Sequence, residues 1–182
     1  TDASSIWLFD NNRQGWFHSD SRNEMSIDRH SGKVHIWAAV SMMYGKVTMA
    51  TFRDNLDSDL LLRILQEDLL PEANYFYPDG WFLQMDNDSK NTSNIIQKFV
   101  KNSVPNEISW PSRSPDLNPI ENVWKLLKQR VRKRLPQTLD ELEDIIHEEW
   151  NTLSDNVVIN ICESFPRRVE QCIDMHGNRI RY

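Results

Sequence analysis

Residues 110 to 124 read Trp110-Pro111-Ser112-Arg113-Ser114-Pro115-Asp116-Leu117-Asn118-Pro119-Ile120-Glu121-Asn122-Val123-Trp124. The three prolines stiffen this segment, because each fixes its own φ and biases the residue before it towards extended conformations. Asn118 has the chemistry of an N-cap and Pro119 that of the first helical residue, which places Glu121 at the third helical position. The segment therefore predicts a rigid loop that delivers one carboxylate at the start of a helix.

Glu121 has two interpretations. The spacing of Asn118 and Glu121 resembles a capping box, in which the glutamate only satisfies the backbone amide of the cap. In the second interpretation the carboxylate binds a metal ion, and Asn118 and Pro119 support it. The choice depends on whether other carboxylates come close to Glu121 in the fold.

Two short apolar runs end in an aspartate. Residues 5–9 precede Asp10, and residues 81–85 precede Asp86, so each aspartate is predicted at the C-terminal end of a buried strand. A right-handed crossover would make these two strands parallel neighbours, and their C-terminal ends would bring Asp10 and Asp86 together.

The order of the predicted elements defines the fold class. Strands at 34–40 and 47–52 form an antiparallel meander with the first strand, and a crossover helix at 57–70 leads to the strand before Asp86. This order predicts an α/β, ribonuclease H-like fold of the retroviral integrase superfamily, with a central mixed five-stranded sheet flanked by helices.

Three carboxylates, Asp10, Asp86 and Glu121, are the oxygen donors that Mg²⁺ or Mn²⁺ prefers. Two such ions can activate a nucleophile and stabilise the leaving oxygen in phosphoryl transfer. Asp88 competes with Asp86, but it lies past the strand end and is expected to cap the next helix. The five histidines and two cysteines show no metal-ligand spacing, which argues against zinc.

The charge distribution is uneven. The net charge is −6, yet residues 111–135 hold seven basic residues against two acidic ones. Arg113, Lys125, Lys128 and Arg132 are therefore candidate DNA contacts, and the alternative is a solvated helix face with a Glu121–Lys125 pair. The 182 residues suit one domain, and no apolar run is long enough to span a membrane.

The motifs resemble those of the Tc/mariner superfamily of DNA transposases, in particular its Tc-like branch of the Sleeping Beauty type. Residues 84–93 and 110–124 are similar to the second and third catalytic motifs of that family, and 34 residues separate Asp86 from Glu121 as in the Tc-like branch. Leu8-Phe9-Asp10, with Ser19-Asp20-Ser21-Arg22 downstream, resembles the first motif.

The resemblance implies a catalytic triad of Asp10, Asp86 and Glu121 with Mg²⁺ or Mn²⁺, two ions per site. It implies cut-and-paste transposition at the transposon ends and into target DNA at TA, by a nuclear protein that is a homodimer at full length. Asn87, Asp88, Asn118 and Pro119 would support the site. The family's N-terminal helix-turn-helix domains are not in this chain, which is expected to be a single catalytic domain over residues 1–182.

The sequence departs from the family at three positions beside the triad. Asn11, Ser89 and Asn91 stand where the family usually has an acidic residue, a proline and a histidine. Two alternatives therefore stay open: a domesticated, transposase-derived DNA-binding protein, and another ribonuclease H-like nuclease or integrase.

Overall fold

A three-stranded antiparallel sheet lies at the centre of the molecule, formed by β1 (Asp2–Trp7), β2 (Lys33–Ser41) and β3 (Gly45–Phe52) in that order. The computed structural model describes residues 1–8, 32–112 and 114–178. Asp2 pairs with Ala38 and Trp7 with Lys33, while β2 and β3 join through the turn before Gly45. The predicted meander is confirmed.

A helical crossover follows the meander. It consists of α1 (Ser58–Arg63), a π-helical segment (Ile64–Leu69) and α2 (Leu70–Phe76). The Asp57 carboxylate accepts a hydrogen bond from the Leu60 amide at 2.8 Å and caps α1. The remaining elements are β4 (Phe82–Gln84), α3 (Asn94–Ser103), β5 (Asn106–Ile108), α4 (Ile120–Arg134), α5 (Leu139–Thr152), α6 (Asp155–Glu163) and α7 (Phe165–Asp174).

The described strands form two sheets rather than the predicted single five-stranded one. β4 and β5 are parallel and make a separate two-stranded sheet. β4 has only three residues, and it meets the β1 end of the larger sheet through Thr1, whose nitrogen donates to the Gln84 carbonyl at 2.9 Å. One such contact is too little to make a continuous ladder.

The central strand β2 is buried on both faces, because helices cover each side of the sheet. Val34, Ile36 and Ala38 pack with α4, α5 and α6 in one apolar cluster. Trp37 and Ala39 point to the opposite cluster, with the crossover helices, β4 and α3. This arrangement explains the nearly continuous apolar sequence of β2, since a strand covered on both faces has no polar side.

Helix α4 packs its apolar stripe into the first cluster. Ile120, Val123, Trp124, Leu127 and Val131 are each at most 1% exposed, as the helical spacing predicts. The same spacing predicts Leu135 on this stripe, but Leu135 is 53% exposed and follows the helix with a φ of 55°. The stripe ends before Leu135 because the chain turns into the left-handed region there.

The first strand begins earlier than predicted. The sequence suggests residues 5–9, whereas β1 is Asp2–Trp7. Asp10 and Asn11 lie outside the described residues, so the predicted position of Asp10 at a strand end is not tested. Within the described chain, the helices are too short or too polar to cross a membrane.

Candidate active site

Asp86 lies two residues after β4 in a turn that its own side chain helps to hold. Its Oδ1 accepts hydrogen bonds from the Asn91 Nδ2 at 2.7 Å and from the Asp88 amide at 3.1 Å. Asn91 Nδ2 also lies 3.2 Å from the Asp86 carbonyl oxygen. The asparagine that departs from the family pattern therefore orients Asp86 directly.

Glu121 lies in the first turn of α4, but the predicted capping arrangement is wrong. The helix begins at Ile120 with Pro119 at the N-cap position and no side-chain cap, so Glu121 is the second helical residue. The backbone amide of Asn118 donates to the Pro115 carbonyl at 3.1 Å. A capping box with Glu121 would need that amide, so the carboxylate of Glu121 is not used as a cap.

Asn118 is 3% exposed, and its Oδ1 has no hydrogen-bond partner among the described residues. Its side chain therefore lies inside the loop instead of capping α4. Pro119 continues directly into the helix with φ −61° and ψ −32°. Both residues still shape the helix entry, although neither acts as the predicted side-chain cap.

The structure places a further carboxylate, that of Asp2, near Asp86 and Glu121. Thr1 hydrogen-bonds to Gln84, which sets Asp2 beside the chain that leads to Asp86. Both aspartates line one cleft of about 290 Å³, together with Asp88 and Asn91. Helix α4, which carries Glu121, packs against β1.

The electrostatics of Asp2 reflect these neighbours. Burial raises the pKa of the Asp2 carboxyl to about 7, and the negative charges of Glu121 and Asp86 contribute to the rise. The hydrogen bond from the Ala3 amide to Asp2 Oδ1, 2.7 Å long, opposes it. A carboxyl group whose pKa is raised by burial and by neighbouring negative charges is stabilised in its charged form by a bound cation.

The donor chemistry fits Mg²⁺ or Mn²⁺, because carboxylate oxygens are hard ligands. In residues 1–8, 32–112 and 114–178, however, no three His, Cys, Asp or Glu side chains are grouped so that they could hold an ion. In this structure Asp2, Asp86 and Glu121 are thus close enough to interact electrostatically but are not yet arranged as a complete set of metal ligands.

Asn87 and Asp88 stabilise the turn around Asp86 in different ways. The Asn87 Nδ2 donates to the Trp110 carbonyl at 2.8 Å and so ties this turn to the proline-rich loop. Asp88 accepts from the Lys90 ammonium at 2.7 Å, and this bond lowers the pKa of the Asp88 carboxyl. The predicted helix cap is wrong, because α3 begins at Asn94 with Ser93 as its N-cap; Asp88 holds the preceding turn.

Helix α7 clamps the proline-rich loop at two points. The Phe165 ring stacks on Trp110 with a centroid distance of 5.8 Å. Arg168 is 3% exposed, and its Nη1 donates to the Asp116 carbonyl at 3.2 Å while its Nε donates to Ser164 at 2.9 Å. These contacts hold the loop on α7 in addition to its tie with Asn87.

We expect Arg168→Met to lower the free energy of unfolding by about 2–4 kcal/mol, because it removes a buried charged donor and leaves polar partners unsatisfied. Arg167→Met is the matched control, since Arg167 is exposed on the same helix and should change stability by less than about 0.5 kcal/mol. Urea unfolding of both variants measures the difference. Equal losses of stability would show that Arg168 does not hold the loop.

The predicted DNA-contacting residues differ in their surroundings. Lys125 and Arg132 are exposed on α4, whereas Lys128 is half-buried and its Nζ donates to the Ser4 Oγ at 2.7 Å. Arg113 lies outside the described residues. Nearby, Arg130 and Arg134 pair with glutamates of α5, so the basic segment is partly neutralised within the molecule.

Sequence reasoning missed Asp2 and Arg168. Asp2 precedes a run of small residues, Ala3-Ser4-Ser5, whereas bulky apolar residues are what predict a strand. What identifies Asp2 as a strand residue is the pairing of its segment with β2, which is buried on both faces. Arg168 lies outside the apolar positions of α7, and only its burial against the proline-rich loop reveals its role.

Comparison with protein-family models matches residues 1–143 to the DDE superfamily endonucleases. The Tcb2 transposase of Caenorhabditis briggsae is 31% identical over 166 residues, which are 86% of this chain and 57% of that protein. The Tc1 transposase of Caenorhabditis elegans is 25% identical over 192 residues, covering all of this chain and 69% of that protein. The chain thus spans little more than half the length of the Tcb1 and Tcb2 proteins, 57% of each.

Solved structures of similar fold include the Mos1 mariner paired-end complex with Mn, with a TM-score of 0.81 over 99% of this chain and 55% of that one. The isolated catalytic domain of the Mos1 mariner transposase has a TM-score of 0.73, covering 82% of this chain and 77% of that one. Both are 13% identical to this chain, so they bear on the fold alone. The predicted ribonuclease H-like α/β fold is confirmed.

Proposed function

This chain belongs to the DDE superfamily endonucleases, and we propose that it is the catalytic domain of a cut-and-paste DNA transposase. The observation that carries the proposal is the position of Asp2, which lines one cleft with Asp86 and lies close enough to Glu121 for that negative charge to raise its pKa. The curated relatives that match the chain are transposases, and 57% of the Tcb2 protein is covered. We therefore propose that a longer protein containing this catalytic domain cleaves and transfers DNA strands.

Asp2, Asp86 and Glu121 would hold the divalent metal, and Asp2 takes the role that sequence analysis gave to Asp10. The bound metal, as two ions of Mg²⁺ or Mn²⁺, would activate the attacking oxygen and stabilise the leaving oxygen. The protein contributes the placement of the carboxylates. Asn91 orients Asp86, Asn87 joins its turn to the proline-rich loop, and Arg168 holds that loop on α7.

The proposed substrates are transposon ends and a target DNA, joined at TA sites. Lys125, Arg132 and Arg113 are the proposed phosphate contacts, because basic residues clustered in an acidic chain favour one polyanion-binding surface. A homodimer would bring two such sites to the two ends of an element, in the nucleus. Mos1 structures with transposon-end DNA support a DNA substrate.

A single five-stranded sheet in one catalytic domain belongs to the same proposal. Thr1 lies beside Gln84, and the residues that follow each of them line one cleft, so the two segments advance in the same direction. An extended β4 would then pair with β1 and unite the two sheets in the order β3-β2-β1-β4-β5.

The proposal predicts that the purified protein nicks supercoiled plasmid DNA with Mn²⁺ and not with EDTA. An RNA–DNA hybrid of the same length is the control substrate. Cleavage of the hybrid in preference to the plasmid would support a ribonuclease H-like nuclease instead. If the protein binds DNA but does not cleave it in the presence of Mg²⁺ or Mn²⁺, the transposase proposal is overturned in favour of a domesticated DNA-binding protein.

A further inference from the structure

Lys128 and Ser4 join α4 to β1 next to the proposed metal site. The Lys128 Nζ donates to the Ser4 Oγ at 2.7 Å. Ser4 lies two residues after Asp2 on β1, and alternate residues of a strand share a face. Lys128 lies seven residues after Glu121 on α4, and residues at this spacing share a helix face. Ser4 and Asp2 on β1, and Lys128 and Glu121 on α4, therefore lie along the same interface between this strand and this helix.

The direction of its side chain brings the Lys128 ammonium closer to Glu121. Side chains on a helix lean towards its N-terminus, so Lys128 reaches back along α4 towards the turn that carries Glu121. Lys128 is half-buried, and burial lowers the pKa of its ammonium while Glu121 and Asp2 oppose that shift. Its charge thus lies in the field of both carboxylates.

Lys125 provides the contrast. It lies one turn earlier on α4 and is exposed, as a residue that meets DNA phosphates is expected to be. A half-buried lysine held by a strand hydroxyl has already given up much of the side-chain freedom that an exposed phosphate-binding lysine keeps. Lys128 is therefore distinct from the exposed basic residues of this helix.

We propose that Lys128 is a positioning residue, which fixes α4 against β1 through Ser4 so that Glu121 faces Asp2. The inference rests on the proposed metal site and adds to it a residue that binds neither the metal nor the DNA. A positioning role can be distinguished from a purely electrostatic effect of the Lys128 charge, because the two predict opposite changes in metal affinity when Lys128 is replaced. A positive charge alone weakens cation binding, whereas correct placement of the ligands strengthens it.

The test measures the apparent Mn²⁺ affinity from the rise in melting temperature during a Mn²⁺ titration. Lys128→Met and Ser4→Ala should each weaken Mn²⁺ binding, by about 10-fold for the lysine, as for other residues that orient metal ligands. The double variant should bind no more weakly than Lys128→Met, because both changes break the same hydrogen bond. Lys128→Arg should restore affinity, since it keeps a donor for Ser4.

Lys125→Met is the matched control. It should leave Mn²⁺ affinity unchanged and reduce the salt dependence of DNA binding, because the slope falls by about one unit for each phosphate that the protein no longer neutralises. Lys128→Met should leave that slope unchanged. A reduced slope in Lys128→Met, or unchanged or tighter Mn²⁺ binding, would overturn the positioning role. If the wild-type protein shows no Mn²⁺ effect at all, the proposed metal site fails, and the inference fails with it.

Discussion

An Asp2→Asn variant should lose metal-dependent DNA cleavage by on the order of 1000-fold or more, and Glu121→Gln should lose it to a similar extent. Each change keeps the shape of the side chain but removes one of the charges that would hold the metal. Asp2 is half-buried and interacts electrostatically with Asp86 and Glu121, so solvent does not replace the charge that an amide lacks. Plasmid nicking with Mn²⁺ measures the loss, and circular dichroism checks that both variants fold.

Asp10→Asn and Asp88→Asn are the controls for this experiment. Asp88 lies in the same turn as Asp86, but its carboxylate is paired with Lys90, so its removal should leave most of the cleavage intact. Asp10→Asn should also cleave. If Asp10→Asn is inactive and Asp2→Asn is active, the first ligand is Asp10, as the sequence pattern suggests, and the assignment of Asp2 is wrong.

The contrast between Asp2 and Asp10 shows where sequence analysis reaches its limit. Bulky apolar residues locate β1 approximately, since Ile6 is buried and lies within the strand. Asp2 and Ser4 extend the strand by pairing with Ala38 and Ile36, and this stabilisation comes from β2 rather than from their own propensity. Local patterns therefore predict the existence of the strand but not its first residue.

Helix α4 shows the opposite case. Its apolar stripe, its approximate start and the position of Glu121 in its first turn all follow from local spacing. The cap does not, because the Asn118 amide has an alternative acceptor in the Pro115 carbonyl that only the folded loop provides. The arginine that holds this loop cannot be found from local sequence either, because Arg168 and Asp116 are 52 positions apart in the chain.

Titration with Mg²⁺ or Mn²⁺ should raise the melting temperature of the wild-type protein by about 5–10 °C at saturating concentration. Ligand linkage gives about 2.7 kcal/mol at a hundredfold excess over Kd, and 1 kcal/mol corresponds to about 2–4 °C for a chain of this size. The gain is specific to a divalent cation, because it relieves repulsion among Asp2, Asp86 and Glu121. Differential scanning fluorimetry with Ca²⁺-free buffers and an EDTA reference measures it.

The Asp2→Asn variant distinguishes the repulsion among Asp2, Asp86 and Glu121 from a general effect of salt on the melting temperature. Without metal, the variant should melt about 2–8 °C above the wild type, because a neutral amide replaces a carboxyl group whose charged form is disfavoured by desolvation and by the negative charges of Glu121 and Asp86. The same variant should lose most of the rise with Mn²⁺, so one substitution raises the baseline and removes the response. Asp88→Asn should do neither, since the Lys90 ammonium stabilises the charge of Asp88. If Mn²⁺ raises the melting temperatures of the wild type and of Asp2→Asn equally, Asp2 is not part of the metal site.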